Sequence, residues 1–355
     1  MFVHVRCLEM IKNNIKVTVF VPDSNTYSYI FEGILVKKMP NTTIVSQLPK
    51  FDLSYLHLLN IYLFQKKCGW SIYKHLIKNQ NSFALYIHGS EVQKFNWSFQ
   101  FNYSIMDIVK WLYKDFLIIH RMKKFINKTN GKPNVRFIFP SKWMKNNAEE
   151  NLKLNFINFS IIPNGIDTSM FSKLNVSSKR YKIISVRSLS DKVYDIKFTI
   201  DVLKLLPKKY SLDIYGKGKF FKEYENYIQK QKLGERVKII TKFINRDKLN
   251  KLYANYGVFI STTKIDSQGV TILEAMASGL LAVSTDNSAK PEFIFDGING
   301  VLGKTPREIA DKIIKITSDI VLFNTMSHNG SLSMNRLNNH KMVQSEIEIL
   351  QKLLK

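Results

Sequence analysis

Short apolar runs alternate with longer stretches of helical periodicity along almost the whole chain. The runs that read as strands are Val17 to Val21, Ser54 to Leu58, Phe83 to Ile87 and Val135 to Phe139. Further on come Ile183 to Val186, Leu212 to Tyr215, Val237 to Ile240, Val258 to Ile260 and Leu281 to Ser284. Helical patterns lie between most of them, for example Met106 to Phe125, Lys197 to Leu206 and Phe220 to Lys232. Strands separated by helix-length connections predict parallel sheets covered by helices on both faces, because a parallel crossover needs such a connection. The predicted fold class is α/β, with doubly wound parallel sheets.

The alternation breaks once, in the polar, turn-rich stretch NGIDTSMFSKLNVSSKR from Asn164 to Arg180. That break predicts a linker over 164–180 between one domain over 1–163 and a second over 181–337. In 338–355, His340 to Leu354 reads as an amphipathic helix with Val343, Ile347, Ile349, Leu350, Leu353 and Leu354 as its apolar stripe. At the start, His4 to Ile11 reads as a helix and the following IKVTVFV as a strand. A doubly wound domain ordinarily opens with a strand and a Gly-rich turn before that helix. The first domain is therefore expected to lack its opening strand and turn, either through truncation or because translation starts inside the first unit.

Composition bounds the function. The 355 residues suffice for two domains with their own cores, and 45% hydrophobic with 23% charged residues describes a globular chain. A net charge of +25 leaves two readings: an anionic partner, or drift toward Lys, Asn and Ile with scattered lysines. Cys7 and Cys68 form no disulfide framework and no CxxC spacing, so a reducing cytoplasm is expected. No apolar run reaches the ~18 residues of a membrane span, and MFVHVRCLEM lacks a signal-peptide layout.

Chemistry in open α/β sheets gathers beyond the carboxyl ends of the strands. The stretch VFISTTKIDSQGVTILEAMASGLLAV, Val258 to Val283, is the most informative. Between Ser267 and Val283 only Glu274 is charged, and a carboxylate in so apolar a helix needs a partner. Asp266 stands eight residues earlier, in the preceding loop. Gly269 and Val270 open the helix, where free N–H groups and the dipole favour an anion. Glu274 and Asp266 could accept hydrogen bonds from sugar hydroxyls; equally, Glu274 could pair with a basic side chain inside the fold.

Three further strand ends carry candidates. Arg187 and Lys192 follow Val186 and fit either a diphosphate clamp or a solvated basic loop. Gly216-Lys217-Gly218 after Tyr215 brings backbone close to some neighbour, as any tight strand-to-helix turn does. His88-Gly89-Ser90-Glu91 after Ile87 offers a histidine for polar substrate contact, or a structural one; His57 is a weaker candidate. Asn164-Gly165 is a turn placed where a hinge would be. The chain contains no P-loop, G-x-S-x-G, H-E-x-x-H, G-x-G-x-x-G or D-x-D, and its basic residues do not interleave with aromatics as in RNA-binding motifs. Only net charge speaks for nucleic acid, so none is expected as a partner.

In order and spacing, these motifs resemble the GT-B-fold retaining glycosyltransferases of family 4, including those that build capsular and other surface polysaccharides. The likeness is strongest from Pro163 to Gly303. It rests on Asp266-x7-Glu274 followed by Ala275-Met276-Ala277-Ser278-Gly279, on PNGID at Pro163 to Asp167, on Arg187-x4-Lys192, on HGSE at His88 to Glu91 and on PEFIFDGINGVL. Asp266 stands where the family has Glu. The resemblance implies two Rossmann-like domains facing across a cleft, a nucleotide-sugar donor, a glycan or lipid-linked acceptor, no metal and no other cofactor. It implies that Arg187 and Lys192 hold the diphosphate and that Glu274 binds the ribose. Asp266, Gly269 and Val270 would grip the donor sugar, His88 would reach it from the other domain, and Gly216, Phe243 and Ile244 would lie against the nucleotide. The final helix would cross back to the first domain. The implied activity is hexosyl transfer in surface-polysaccharide synthesis at the cytoplasmic membrane face, with the basic surface docking on anionic lipid. The alternative is a catalytically impaired remnant that binds nucleotide or polyanion.

Overall fold

A computed structural model of the chain describes residues 2–57, 61, 68–79, 81–94, 104–242 and 244–354. The chain divides into two compact units: Met1–Asn164 together with His340–Lys355, and Gly165–Asn339.

The first unit contains two sheets. β1 (Thr18–Pro22) pairs in parallel with β3 (Ile34–Met39), which pairs antiparallel with β2 (Tyr27–Phe31), in the order β1-β3-β2. The β2–β3 hairpin turns through Glu32 and Gly33, at φ 47° and 82°. Two successive left-handed residues suit the right-handed twist of a two-residue hairpin. Sequence reading missed this hairpin, because Glu-Gly is not a strong turn signal and every residue of β2 is exposed, which erases the alternation.

A second sheet is wholly parallel and runs β4 (Ser54–His57), β5 (Phe83–Tyr86), β6 (Val135–Phe139), β7 (Phe159–Ile161). Leu58 of the expected strand lies outside the described residues. β5 is buried along its whole length and β6 at all but Arg136, and Phe83, Phe125, Phe137 and Phe139 are fully buried. Tyr73 stands edge-on to Phe125 at 4.5 Å.

The helix Phe2–Lys12 contributes to the cores on both sheets. Met10 packs with Ala84, Tyr86, Ile138 and Ile162, and Cys7 with Ile34 and Val36. Into the Met10 cluster the final helix, Asn339–Lys352, sends Val343, Ile347 and Leu350, joined by Leu353 just beyond its end. Of the stripe expected there, Leu354 is instead exposed and Ile349 only half-buried. Arg6 and Glu346 meet in this core. The guanidinium donates through Nε to both carboxylate oxygens at 3.0 and 2.8 Å, and Tyr55 donates to Oε2 at 2.9 Å.

In the second unit, six parallel strands form one sheet in the order β10-β9-β8-β11-β12-β13. They are β8 (Lys182–Val186), β9 (Ser211–Tyr215), β10 (Val237–Ile240), β11 (Val258–Ser261), β12 (Leu281–Thr285) and β13 (Val301–Gly303). Strand order reverses between β8 and β11, which opens a crevice beyond their carboxyl ends. β7 and β13 were not read from sequence, since three residues are too few to display a period.

The stretch expected as a linker, 164–180, packs onto this unit from Gly165 onward. Phe171 and Val176 are buried, and the Leu174 N–H donates to the Ser278 carbonyl at 2.9 Å. Its buried apolar residues, Ile166, Phe171 and Val176, recur every five positions, which is the period of neither a helix nor a strand. Met106 to Phe125, expected as one helix, is an α-helix over Ile105–Tyr113, a π-helical stretch over Lys114–Ile119 and an α-helix over His120–Thr129. Among the described residues, no helix is long and apolar enough to cross a membrane.

Candidate functional site

Arg187 leaves the end of β8 and lies at the switch point. Its Nη2 donates to Ser261 Oγ at 2.7 Å, at the end of β11, and stands 3.9 Å from Asp266 Oδ2. Among the described residues its Nε is buried without a hydrogen-bond partner. Leaving a buried charged donor unmet is costly, which makes this guanidinium a candidate to receive an acceptor.

The backbone around Arg187 explains the glycine pair. The Arg187 N–H donates to Tyr215 O, and Leu189 N–H to Lys217 O at 2.8 Å. A Cβ on Gly216 would stand 1.9 Å from the Arg187 carbonyl oxygen, and one on Gly218 would stand 2.0 Å from Leu189 C. What the Gly216-Lys217-Gly218 turn approaches is therefore the 187–190 loop. The two glycines let that loop close and so fix where Arg187 emerges.

Lys192 opens a short 3-10 turn, Lys192–Tyr194, capped by Asp191. Its ammonium is 3.0 Å from Glu223 and lies over the Phe220 ring at 4.9 Å. Arg187 and Lys192 thus have separate partners: one serves the crevice, while the other is held by a half-exposed surface pair.

The loop after β11 is organised by Asp266. Its Oδ1 accepts from Gln268 N at 3.1 Å and from Gly269 N at 2.6 Å, an Asx turn at the start of the helix Val270–Ala277. Gly269 sits at φ 81°, which a β-carbon disfavours. The Gly269 N–H, expected to meet an anion, is thus already met by Asp266, while Val270 takes the first helical position. Behind this turn Lys290 is buried, donating from Nζ to Thr263 O and, at 2.7 Å, to Thr285 Oγ1. Burial pushes its ammonium down to about 7, with Asp266 opposing the shift. It ties the ends of β11 and β12 together under the Asp266 loop.

Glu274 is buried and its partner is Arg246. The guanidinium donates twice to Oε1, from Nε at 2.9 Å and Nη2 at 2.6 Å. Burial raises the Glu274 carboxyl above its ordinary range, and Arg246 and Arg187 pull it back. Arg246 also covers the Phe171 ring at 5.1 Å. Ile244, two residues before Arg246, is half-exposed, and Phe243 lies outside the described residues. Arg246 and Lys290 were missed in the sequence. The lone carboxylate at Glu274 signalled a cation without saying which of many it was.

His88 belongs to the first unit. Its Nε2 is 3.1 Å from His57 Nδ1, and its ring stands 4.7 Å from that of Tyr86. Glu91 turns back to accept from the Gly89 N–H at 2.9 Å. Burial, then the nearby Arg6 charge, pushes His88 down to about 4 and His57 well below its ordinary value, so both rings are neutral near pH 7. His57, the weaker candidate in the sequence, is the direct partner of the stronger one.

Comparison with known proteins matches this architecture. With 17% identity and a TM-score of 0.70, the structure of Anabaena HepE in complex with UDP covers 88% of this chain and 81% of its own. The chain has the GT-B glycosyltransferase fold. Within it, residues 167–333, nearly the whole second unit, match the family model described as glycosyl transferases group 1. An uncharacterized glycosyltransferase of Methanocaldococcus jannaschii is 23% identical over 61% of this chain and 60% of its own length. The alpha-monoglucosyldiacylglycerol synthase of Acholeplasma laidlawii is 23% identical over 49% of this chain and 48% of its own. The chain thus spans less than two thirds of the length of these curated relatives.

Proposed function

We propose that this GT-B chain is a retaining, metal-independent glycosyltransferase of family 4. It would take a hexosyl group from a nucleotide-sugar donor and extend a glycan or lipid-linked acceptor in surface-polysaccharide synthesis. The observation that carries the reading is Arg187: a buried guanidinium at the β8/β11 switch point, with Nε unmet, beside the carboxylate of Asp266. A cation so placed suits the diphosphate of a donor, and the UDP complex of HepE is the corresponding ligand class in a structural neighbour.

In the proposed reaction the bond from the anomeric carbon to the leaving phosphate oxygen breaks as the acceptor oxygen bonds to the same face. The acceptor proton passes to the departing diphosphate. Arg187 stabilises the negative charge that grows there, and Lys192 contributes once it is drawn from Glu223. Asp266 orders the loop that receives the sugar, Glu274 accepts from the ribose through the oxygen that Arg246 leaves, and His88 is the first unit's candidate for sugar contact.

Titration calorimetry with UDP and other nucleoside diphosphates, followed by a panel of nucleotide sugars with product analysis, tests the proposal. Binding is expected for at least one nucleotide. Arg187→Ala should weaken it by roughly 30-fold or more, as for loss of a desolvated charge-assisted contact. Equal affinity in the Arg187→Ala variant would sink the assignment. Binding without transfer to any acceptor would favour the impaired remnant instead.

A further inference from the structure

We infer that Lys290 is a proton-linked cation behind the donor site. It holds a neutral amine in the free chain and takes a proton from solvent when a nucleoside diphosphate settles beside Arg187. This deepens the proposed function and rests on it for the identity of the anion.

Lys290 is 1% exposed, between two strand ends of the second unit. Its Nζ donates to the Thr263 carbonyl, just beyond β11, and at 2.7 Å to Thr285 Oγ1, the last residue of β12. Among the described residues these two oxygens are its hydrogen-bond acceptors. An ammonium carries three N–H groups and no lone pair, whereas a neutral amine carries two. Two acceptors around a buried nitrogen therefore match the amine and leave an ammonium one donor short, which is costly for a charged group. The nearby carboxylates are engaged elsewhere. Asp266 accepts from Gln268 N and Gly269 N and faces Arg187, and Asp195 lies 3.5 Å from Lys264. Burial lowers the group from its ordinary 10.5 to about 7; Asp266, Asp286 and Asp195 oppose that shift and Arg187 adds to it.

One strand end connects the amine to the candidate anion site. Arg187 Nη2 donates to Ser261 Oγ and Lys290 to Thr263 O, so the two groups hold residues only two apart. Ser261 Oγ and Thr263 Oγ1 are themselves 3.4 Å apart. The aliphatic stem lies under the helix start, where a Cβ on Gly269 would stand 3.8 Å from Lys290 Cγ. A diphosphate at Arg187 offsets the guanidinium's repulsion and adds negative charge in a poorly solvated place. Both changes raise the proton affinity of Lys290. By linkage, the ammonium strengthens anion binding by the factor by which the anion favours the ammonium. The sign follows: the complex binds this proton more tightly than the free chain does. Affinity is therefore greatest below about pH 7 and falls as pH rises above it.

Titration calorimetry of the full chain with UDP, at about pH 7.5 in buffers of different ionisation enthalpy, counts the protons exchanged on binding. The wild type is expected to take up roughly half a proton or more beyond the Lys290→Met variant, whose own count supplies the baseline for the nucleotide's ionisation. Relative to that variant, wild-type affinity should fall roughly tenfold or more over about two pH units above 7. Lys290→Arg, charged at every pH used, should bind without the extra proton. A merely structural clip would weaken binding in Lys290→Met equally at each pH and leave the proton count alone, and that result would overturn the inference. Should Lys290→Met not fold, the carbon-13 shift of Lys290 Cε in the wild type, assigned with Lys290→Arg, is followed against pH. Its midpoint is expected near 7 in the free chain and higher with UDP; equal midpoints would overturn the inference too. Wild-type binding with no proton linkage sinks this inference alone. Absence of binding to any nucleoside diphosphate sinks the proposed function and this inference together.

Discussion

The two units use related elements differently. In the second, one six-stranded sheet places its earliest strand, β8, between β9 and β11, so the switch point lies mid-sheet and Arg187 emerges there. In the first, β1 and β4 are edges of separate sheets, and the helix Phe2–Lys12 supplies apolar side chains to the core on each. Its Arg6 is buried among Glu346, Tyr55, Asn164 and the Tyr86 ring, whose centroid is 4.3 Å from the guanidinium carbon. A continuous sheet holds its middle with backbone hydrogen bonds and apolar side chains. Where the sheet is discontinuous, a buried ionic network occupies the core, and it is more sensitive to loss of one partner.

All four tryptophans of the sequence precede Asn164, the described Trp70 and Trp143 packing against the first unit's core, so emission is expected to follow that unit. The largest effect is expected for Arg6→Ala, which strands the Glu346 carboxylate and should cost about 3–5 kcal/mol. Tryptophan-monitored urea unfolding should shift accordingly, and Arg6→Met with Glu346→Leu should recover most of the loss. An unmoved midpoint in Arg6→Ala would break the contrast between the units.

Gly216→Ala tests the second unit. Its Cβ meets backbone at 1.9 Å, which side-chain adjustment cannot relieve, so about 2–4 kcal/mol should be lost. The shift should appear in far-ultraviolet ellipticity and be smaller in tryptophan emission. Equal shifts in both signals would mean that the units unfold as one.

A pH titration sharpens the comparison further. His88 falls from its ordinary 6.5 to about 4 in the folded chain, so between those values the unfolded state binds more protons. Stability is then fully present above about pH 6.5 and declines as pH falls toward 4, by on the order of 3 kcal/mol. His57 adds in the same direction. His88→Gln should flatten the emission-monitored profile over that window, and an unchanged slope would assign the acid sensitivity elsewhere. The smallest effect is expected at Thr305, which caps the helix Pro306–Ser318 by accepting from Glu308 N at 3.2 Å. Thr305→Ala should cost about 1 kcal/mol, seen in ellipticity with little change in emission.

Much of the second unit was legible in advance. β8 to β12 each appear within a residue or so of the apolar run that predicts them; β11 and β12 are buried along their whole length, and even the half-buried β9 and β10 keep short apolar runs. The β2–β3 hairpin and the three-residue strands β7 and β13 were not legible, since exposure or brevity removes the pattern. In the site, Asp266 and Glu274 stood out because charge is rare in that stretch. Arg246, Lys290 and the His57–His88 contact did not, because partners distant in sequence are joined only by folding.

Local chemistry therefore carried the α/β class, the strand ends at which polar residues collect, and the need of Glu274 for a cation. Which cation answered it was a tertiary outcome: Arg246 took Glu274, Glu223 took Lys192, and Arg187 alone of the expected clamp turned into the crevice with a donor unmet. Burial and hydrogen-bond pairing depend on where the chain brings distant residues together, and one-dimensional spacing does not encode that.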